Sequence, residues 1–464
     1  MAKRVAATGP VDGPWALPDG WRWERLGAVA HVNAGQSPPS AQVNKNREGL
    51  PFFQGKADFG AHHPTARNWC AKPTKIAEAN DVLISVRAPV GPTNYALERC
   101  GIGRGLAAIR SDTLCQRYIR HWLAATGHLL REKATGTTFE AITGDVLRHH
   151  VIPVPPSGVD ETIVARIDEL FAEVDDGEAA LARARDDLAT WRKALLKAAV
   201  TGELTADWRT SNPPTETGDE LLSRVLADRR IRWEATPKNK GKAYAEPIGP
   251  EGDNLPALHP GWAWASLAQI ASEQERSFQS GPFGSALLHS EFQDTGHLVI
   301  GIDNVQQGYF SKGADHRISE EKFQELRRFQ ARPKDVLITV MATIGRTCVV
   351  PEDVEDAIVT KHLYRITTAK NVANPTFVST CLRAGPSTVN YLFGNTLGQT
   401  RPGLNKSILE RAPVPIAPLA EQERALQIVA DQIEGTSAIL DDLKGCSATL
   451  RQSILAAAFR GDLV

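Results

Sequence analysis

The chain has 464 residues, of which 42% are hydrophobic and 23% charged, with a formal net charge of −1 at pH 7. That balance describes an ordinary folded chain with length for about three domains, and excludes a disordered tail or a polycation. It holds no run of about 18 uncharged apolar residues, MAKRVAATGP does not read as a signal peptide, and its six cysteines never reach Cys-x-x-Cys spacing. A cytoplasmic protein without a membrane span, disulfide framework or zinc site is therefore expected.

In chain order, the first element is the run LPDGWRWERLGAVA at 17–30. A globular stretch follows in which short β-type runs, 82–86 among them, are punctuated by Gly, Pro and Asn, the pattern of a loop-rich α+β domain. Residues 20–150 carry 17 basic against 10 acidic side chains, whereas 151–205 carry 6 against 11. The near-neutral total thus hides a basic first unit and an acidic segment after it.

That acidic segment predicts a long helix. Residues mostly apolar or small recur at alternating steps of four and three through Ile163, Ile167, Leu170, Val174, Gly177, Leu181, Ala184, Leu188, Trp191, Leu195 and Ala198. A period near 3.5 marks a helix that packs on a partner helix in fixed register. A helix of about 38 residues spans roughly 57 Å. The small Gly177 is expected to let the partner approach closely. From 206 to 257 the sequence opens into a linker, TSNPPTETGD, followed by a short amphipathic helix at 220–234 and a second open stretch.

Then the plan starts again. LHPGWAWASLAQIA at 258–271 restates 17–30, DVLITVMATIG at 335–345 restates DVLISVRAPVG at 81–91, and VPIAP at 414–418 restates IPVPP at 152–156. Further β-type runs are expected at 297–302, 337–340 and 348–350. RQSILAAAFRGDL, ending at Leu463, restates RKALLKAAVTGEL, ending at Leu204. The second heptad series, Leu426, Val429, Ile433, Leu440, Leu443, Leu450 and Ile454, follows the first from Ile167 onward at a constant shift. A repeat this long means two homologous units, not a solenoid, and the natural partner of each helix is the other. The expected fold class is α+β: two homologous globular domains separated by two long antiparallel coiled-coil helices, with pseudo-two-fold internal symmetry. The expected segments are 1–156, 157–205, 206–257, 258–418 and 419–464.

Catalytic signatures are missing from the sequence. Asn212-Pro213-Pro214 is followed by Thr215 rather than an aromatic residue, so it is no base-methylating loop. GQTRPGLNKS at 398–407 puts its Lys-Ser two residues from the phosphate-loop spacing. Glu320-Glu321-Lys322 reads as a solvated helical face. His62-His63 and His149-His150 lack partners at metal-ligand spacing.

Binding chemistry is better represented. Ser37, Gln54, Lys56, Arg87, Arg104, Thr137 and Thr138 lie on Gly- and Pro-rich loops of the first copy. In the second copy so do Ser280, Ser285, Asn304, Arg346, Lys361, Gln399, Thr400 and Arg401. Here Arg346 and Lys361 are taken as counterparts of Arg87 and Arg104. Such loops suit DNA, since Arg, Lys, Asn and Gln pair with base edges while Ser, Thr and backbone amides hold phosphate.

Taken in order, the LPxGW-type openings, the GPFGS run at 281–285, the DVLI runs, the stretch 220–242, PLAEQ at 418–422 and the TGEL/RGDL helix ends carry a resemblance across 17–464. The chain resembles the specificity subunit of a Type I DNA restriction-modification system. One departure is the first copy, where PPSGVDE at 155–161 replaces the expected PPLxEQ. The resemblance implies two target-recognition domains, each reading one half of a split, asymmetric site on double-stranded DNA, with the helices as a spacer. It implies no cofactor on this chain and no catalysis by it. Two modification (methyltransferase) subunits would use S-adenosylmethionine to methylate adenine, and restriction-translocation subunits would use ATP and Mg. The alternative is a coiled-coil adaptor that never touches DNA.

Overall fold

The structure is a computed structural model that describes residues 11–135, 140–252, 255–273, 276–313, 315–354, 356–397, 403–442 and 445–464, without the side chains of 285 and 437–442. The chain forms two compact units, one from Met1–Arg183 with Leu443–Val464, the other from Ala184–Asp442. The division falls inside the helical segments that the sequence had set apart, because each helix buries its two ends in different cores.

Each unit repeats one topology. In the first, strand Arg22–Arg25 pairs antiparallel with Val151–Val154, and in the second Ala263–Ser266 pairs with Pro413–Ile416. A four-stranded sheet follows in both. Its strand order is His31–Ala34, Leu106–Arg110, Val82–Ser85, Thr93–Tyr95 in unit 1 and Phe278–Ser280, Leu363–Ile366, Val336–Thr339, Thr347–Val349 in unit 2. A second sheet is organised around a parallel pair, Leu50–Phe53 with Cys100–Ile102 and His297–Ile300 with Ala357–Val359.

The repeated DVLI run explains why both sheets hold. Successive strand side chains point to opposite faces, and here both faces are buried. Val82 and Ile84 enter the core built with the helices, whereas Leu83 enters the core of the second sheet. Val336 and Ile338 divide from Leu337 in the same way. The leading aspartate closes the preceding turn in each copy, Asp81 Oδ2 accepting from Glu78 N at 2.9 Å and Asp335 Oδ2 from Arg332 N at 2.8 Å. Each is then neutralised by an arginine of the neighbouring strand, Arg110 at 2.6 Å and Arg365 at 3.4 Å.

The central helix runs Val159–Thr201 without interruption. Its first turns bury Ile163, Val164, Ile167 and Val174 in unit 1, and its last turns bury Leu195, Ala199 and Val200 in unit 2. The returning segment differs from the single helix expected. It forms two helices, Leu419–Asp442 and Cys446–Arg460, with Gly445 at φ 82°, a left-handed conformation that a continuous α-helix does not contain. Leu426, Val429 and Ile433 pack in unit 2, and Ile454, Leu455, Ala458 and Phe459 in unit 1.

The helices run antiparallel. In unit 1 Arg451 pairs with Asp175 and reaches Glu178 at 3.5 Å, and in unit 2 Arg192 donates to Thr436 Oγ1 at 3.4 Å. Moving forward along the first helix therefore moves backward along the second. Leu170, Leu181 and Leu188 are half-buried, but Leu450 is 51% exposed and leaves the seam. Leu443 and the side chain of Leu440 fall outside the described residues. Nor does Gly177 serve close approach, since a Cβ there would meet nothing within 4 Å. The charged fork of Arg451 occupies that level instead.

The segment 206–257 is less of a linker than expected. Helix Gly218–Ala235 opens with a Thr217/Glu220 capping box and sinks Leu221, Leu222 and Val225 into the unit 2 core.

The other repeated motifs form the joints where the helices end. Gly202 and Gly461, both at φ 86°, terminate them, and only glycine adopts that conformation freely. A Cβ on Gly461 would lie 2.4 Å from Pro18, and one on Gly202 2.9 Å from His259. Pro18 and His259 hold the same position in the two LPxGW-type openings. Each opening is thus the seat for the end of the helix that began in the other copy.

Candidate nucleic-acid interface

In unit 1 four loops meet where the strands end. Gly103 N donates to Phe53 O at 2.8 Å, Gln36 N to Ile102 O at 3.1 Å and Val86 N to Gly105 O at 2.9 Å, and Arg104 N makes a long 3.5 Å contact with Ser37 Oγ. Glycine makes the approach possible. A Cβ on Gly35 would sit 2.2 Å from Gly103 O, and one on Gly105 2.2 Å from Gln54 O. A fifth loop is zipped on through the Arg87–Ala141 and Thr135–Ala141 bridges. Ser37, Gln54, Lys56, Arg87 and Arg104 are all exposed around this junction. Five of the residues chosen on sequence therefore share one face, with three cations on it. Thr137 and Thr138 lie outside the described residues.

Unit 2 has the same junction with other side chains. Thr360 N donates to Ile300 O at 3.0 Å and Val340 N to His362 O at 2.9 Å. A Cβ on Gly281 would lie 2.1 Å from Val359 O, and Met341 and Leu397 bridge to Gly403. These bonds fix the equivalences: Gly281 stands at Gly35, Lys361 at Arg104 and Met341 at Arg87. Lys361 is exposed. Burial, reinforced by Lys361, lowers the pKa of His362, so its ring is neutral beside that cation at pH 7.

Several second-copy assignments need correction. Asn304 is 1% exposed, its Oδ1 accepting from Gly301 N at 2.9 Å and its Nδ2 donating to Ser311 O at 3.0 Å. Its amide closes a turn, the task Asp58 performs for Gln54 N in unit 1. Ser280, 9% exposed, ends a strand below the surface. Arg346 stands at Pro92, not at Arg87, because Gly345 N and Gly91 N donate to the equivalent Thr339 and Ser85 carbonyls. It is half-buried and reaches Gln306 Oε1 at 3.4 Å. Gln399, Thr400, Arg401 and the Ser285 side chain fall outside the described residues.

Sequence reasoning missed Phe283 and Met341, 58% and 37% exposed. Phe283 holds the place of Ser37, two residues past the shared glycine. Aligning the two DVLI runs residue by residue would have placed Met341 opposite Arg87.

Among the described residues no His, Cys, Asp or Glu cluster could hold a metal ion, and no helix is long and apolar enough to cross a membrane. The profile of the Type I restriction modification DNA specificity domain matches residues 18–180 and 288–444. The chain belongs to that family. Both junctions lie within or beside the two specificity domains. The EcoBI specificity subunit of Escherichia coli is 23% identical over 459 residues, covering 98% of this chain and 88% of that protein. The putative MjaX specificity subunit of Methanocaldococcus jannaschii is 33% identical over 192 residues, which is 40% of this chain and 44% of that one. In fold, the specificity chain is similar to the HsdS subunit of Thermoanaerobacter tengcongensis, with TM-score 0.54, 20% identity and coverage of 97% and 99%. It is also similar to a chain from a study of Type I complex assembly, with TM-score 0.57, 19% identity and coverage of 97% and 100%.

Proposed function

We propose that the chain is the DNA-reading subunit of a Type I restriction-modification complex, each unit recognising one half of a split, asymmetric site. The observation that carries this is the duplicated junction: two exposed loop faces, built on one backbone plan and furnished with different side chains. Two weak half-site readings on one chain add, because the second becomes intramolecular once the first is made. The two long helices set the distance between them and offer charged flanks to partner proteins. Catalysis belongs to those partners, modification subunits that use S-adenosylmethionine to methylate adenine and restriction-translocation subunits that use ATP and Mg. The chain itself works in the cytoplasm.

The test is co-expression with the cognate modification subunit in a methylation-deficient host, followed by genome-wide mapping of methyl-adenine. A split motif with a fixed gap, present only when both proteins are, is expected. An assembled complex that neither methylates DNA nor binds it in a salt-sensitive way would leave the coiled-coil adaptor as the correct reading.

A further inference from the structure

The two junctions share backbone geometry but not chemistry, and the differences fall at equivalent positions. Arg104 and Lys361 keep one exposed cation in each unit. Arg87 in unit 1 is replaced by Met341 in unit 2, and Ser37 by Phe283. On these loops an exposed methionine and an exposed phenylalanine, 37% and 58% accessible, offer a ligand apolar contact where arginine and serine offer hydrogen bonds. In the DNA major groove the apolar feature is the 5-methyl group of thymine, whereas guanine presents the O6 and N7 acceptor pair that an arginine fork matches.

Building on the DNA-reading role proposed above, we infer that the units read their half-sites by different means. Unit 1 uses Arg87 to hydrogen-bond a guanine, and unit 2 uses Met341 and Phe283 to contact thymine methyl groups. Arg104 and Lys361, common to both, hold phosphate and carry no sequence information.

The test uses the complete chain assembled with its modification subunit. Methylation mapping of wild type and Arg87→Met identifies the unit 1 half-site as the half that relaxes. The expected loss of discrimination at its guanine is about 5- to 150-fold, the equivalent of roughly 1–3 kcal/mol. Binding is then measured on duplexes with deoxyuridine in place of thymidine in one half at a time. Removing methyl groups from the other half is expected to weaken binding about fourfold for each methyl contacted, and removing them from the Arg87 half to change nothing. The weakening should vanish in a Met341→Ala, Phe283→Ala chain. Arg104→Ala and Lys361→Ala should lower affinity for all sequences alike and reduce the salt slope by about 1. An intact split site that tolerates deoxyuridine in both halves, or an Arg87→Met chain with unaltered guanine preference, overturns this inference and leaves the DNA-reading role standing. A wild-type complex that recognises no split site overturns both.

Discussion

The two units receive a helix end on the same scaffold, and they hold it by opposite chemistry. Unit 1 takes the last helix into an aromatic nest. Phe459 meets Trp122 at 5.0 Å and Tyr118 at 5.1 Å, with Trp23 5.8 Å beyond Trp122 and Trp15 5.1 Å beyond Trp23. Unit 2 takes the end of the central helix with a buried charge. Glu421 accepts from Thr205 Oγ1 at 2.6 Å and from Arg209 at 2.7 and 2.9 Å. The cause lies at one pair of equivalent positions. Where unit 2 has Glu421, satisfied by Thr205 and Arg209 just past Gly202, unit 1 has Val159, an apolar residue packed against the aromatic core. A joint built twice need not be conserved in chemistry, only in geometry.

That contrast can be broken one side at a time. The largest effect is expected from Phe459→Ala, which empties the nest and should cost about 4 kcal/mol. In calorimetry of the full chain it should lower a transition belonging to unit 1 and spare unit 2. Glu421→Ala leaves the partly buried Arg209 without its carboxylate and should cost about 3 kcal/mol, this time in unit 2. Equal shifts of both transitions in either variant would show that the two joints do not act separately.

Acid sharpens the comparison. Burial holds His150 at a pKa of about 4, helped by Lys133, while its ring bonds Thr126 Oγ1 at 2.9 Å. Burial, with Arg120 and Arg117, does the same for His121. Asp168, 3.8 Å from His121, does not reverse this because it is already committed to Arg117. A histidine with a depressed pKa binds its proton more readily when unfolded, so stability is present above the unfolded value of about 6.5 and is lost as pH falls toward 4. At pH 5 His150 alone should remove about 2 kcal/mol from unit 1. Unit 2 has Ala412 at the position of His150, and its own depressed histidine, His362, is shifted less, so its transition should fall less over that window. Parallel acid loss in both units would contradict this assignment.

The smallest effect is expected at the helix surface, where Arg451→Ala removes the exposed pairs with Asp175 and Glu178. Such pairs contribute about 0.5 kcal/mol, and a loss severalfold larger would mean that this contact is central to unit 1 and not peripheral.

The repeat made the architecture legible. Val82–Ser85 and Val336–Thr339 read as strands because four consecutive residues are apolar or small and flanked by turn signals, and the first heptad series read as one long helix because its period is unbroken, whereas the second, equally regular in sequence, is two helices parted at Gly445. The departure at PPSGVDE was visible, but its meaning was not. Asp160 there caps the helix that starts after Cys115, accepting from Cys115 N at 2.7 Å, as Gln422 does for Asn374 N at 2.9 Å. Asp160 stands four residues past Pro156, as Gln422 does past Pro418, so the contact is kept by a different side chain at the same position. The clustering of the exposed unit 1 residues was legible because they sit on glycine loops that must pack closely. In unit 2 polarity misled, since Asn304 and Ser280 are polar for turn and strand-end reasons, while apolar Phe283 and Met341 are exposed along with Lys361.

The central claim is that two half-site readers are held apart by the helices. Its most direct test removes seven residues from the central helix between Asp175 and Arg192 and seven from the returning segment between Thr436 and Arg451, and maps adenine methylation by the assembled complex. About 10 Å of helix is lost, so both half-sites should survive with a gap shortened by about three base pairs. A changed half-site with an unchanged gap would contradict the account.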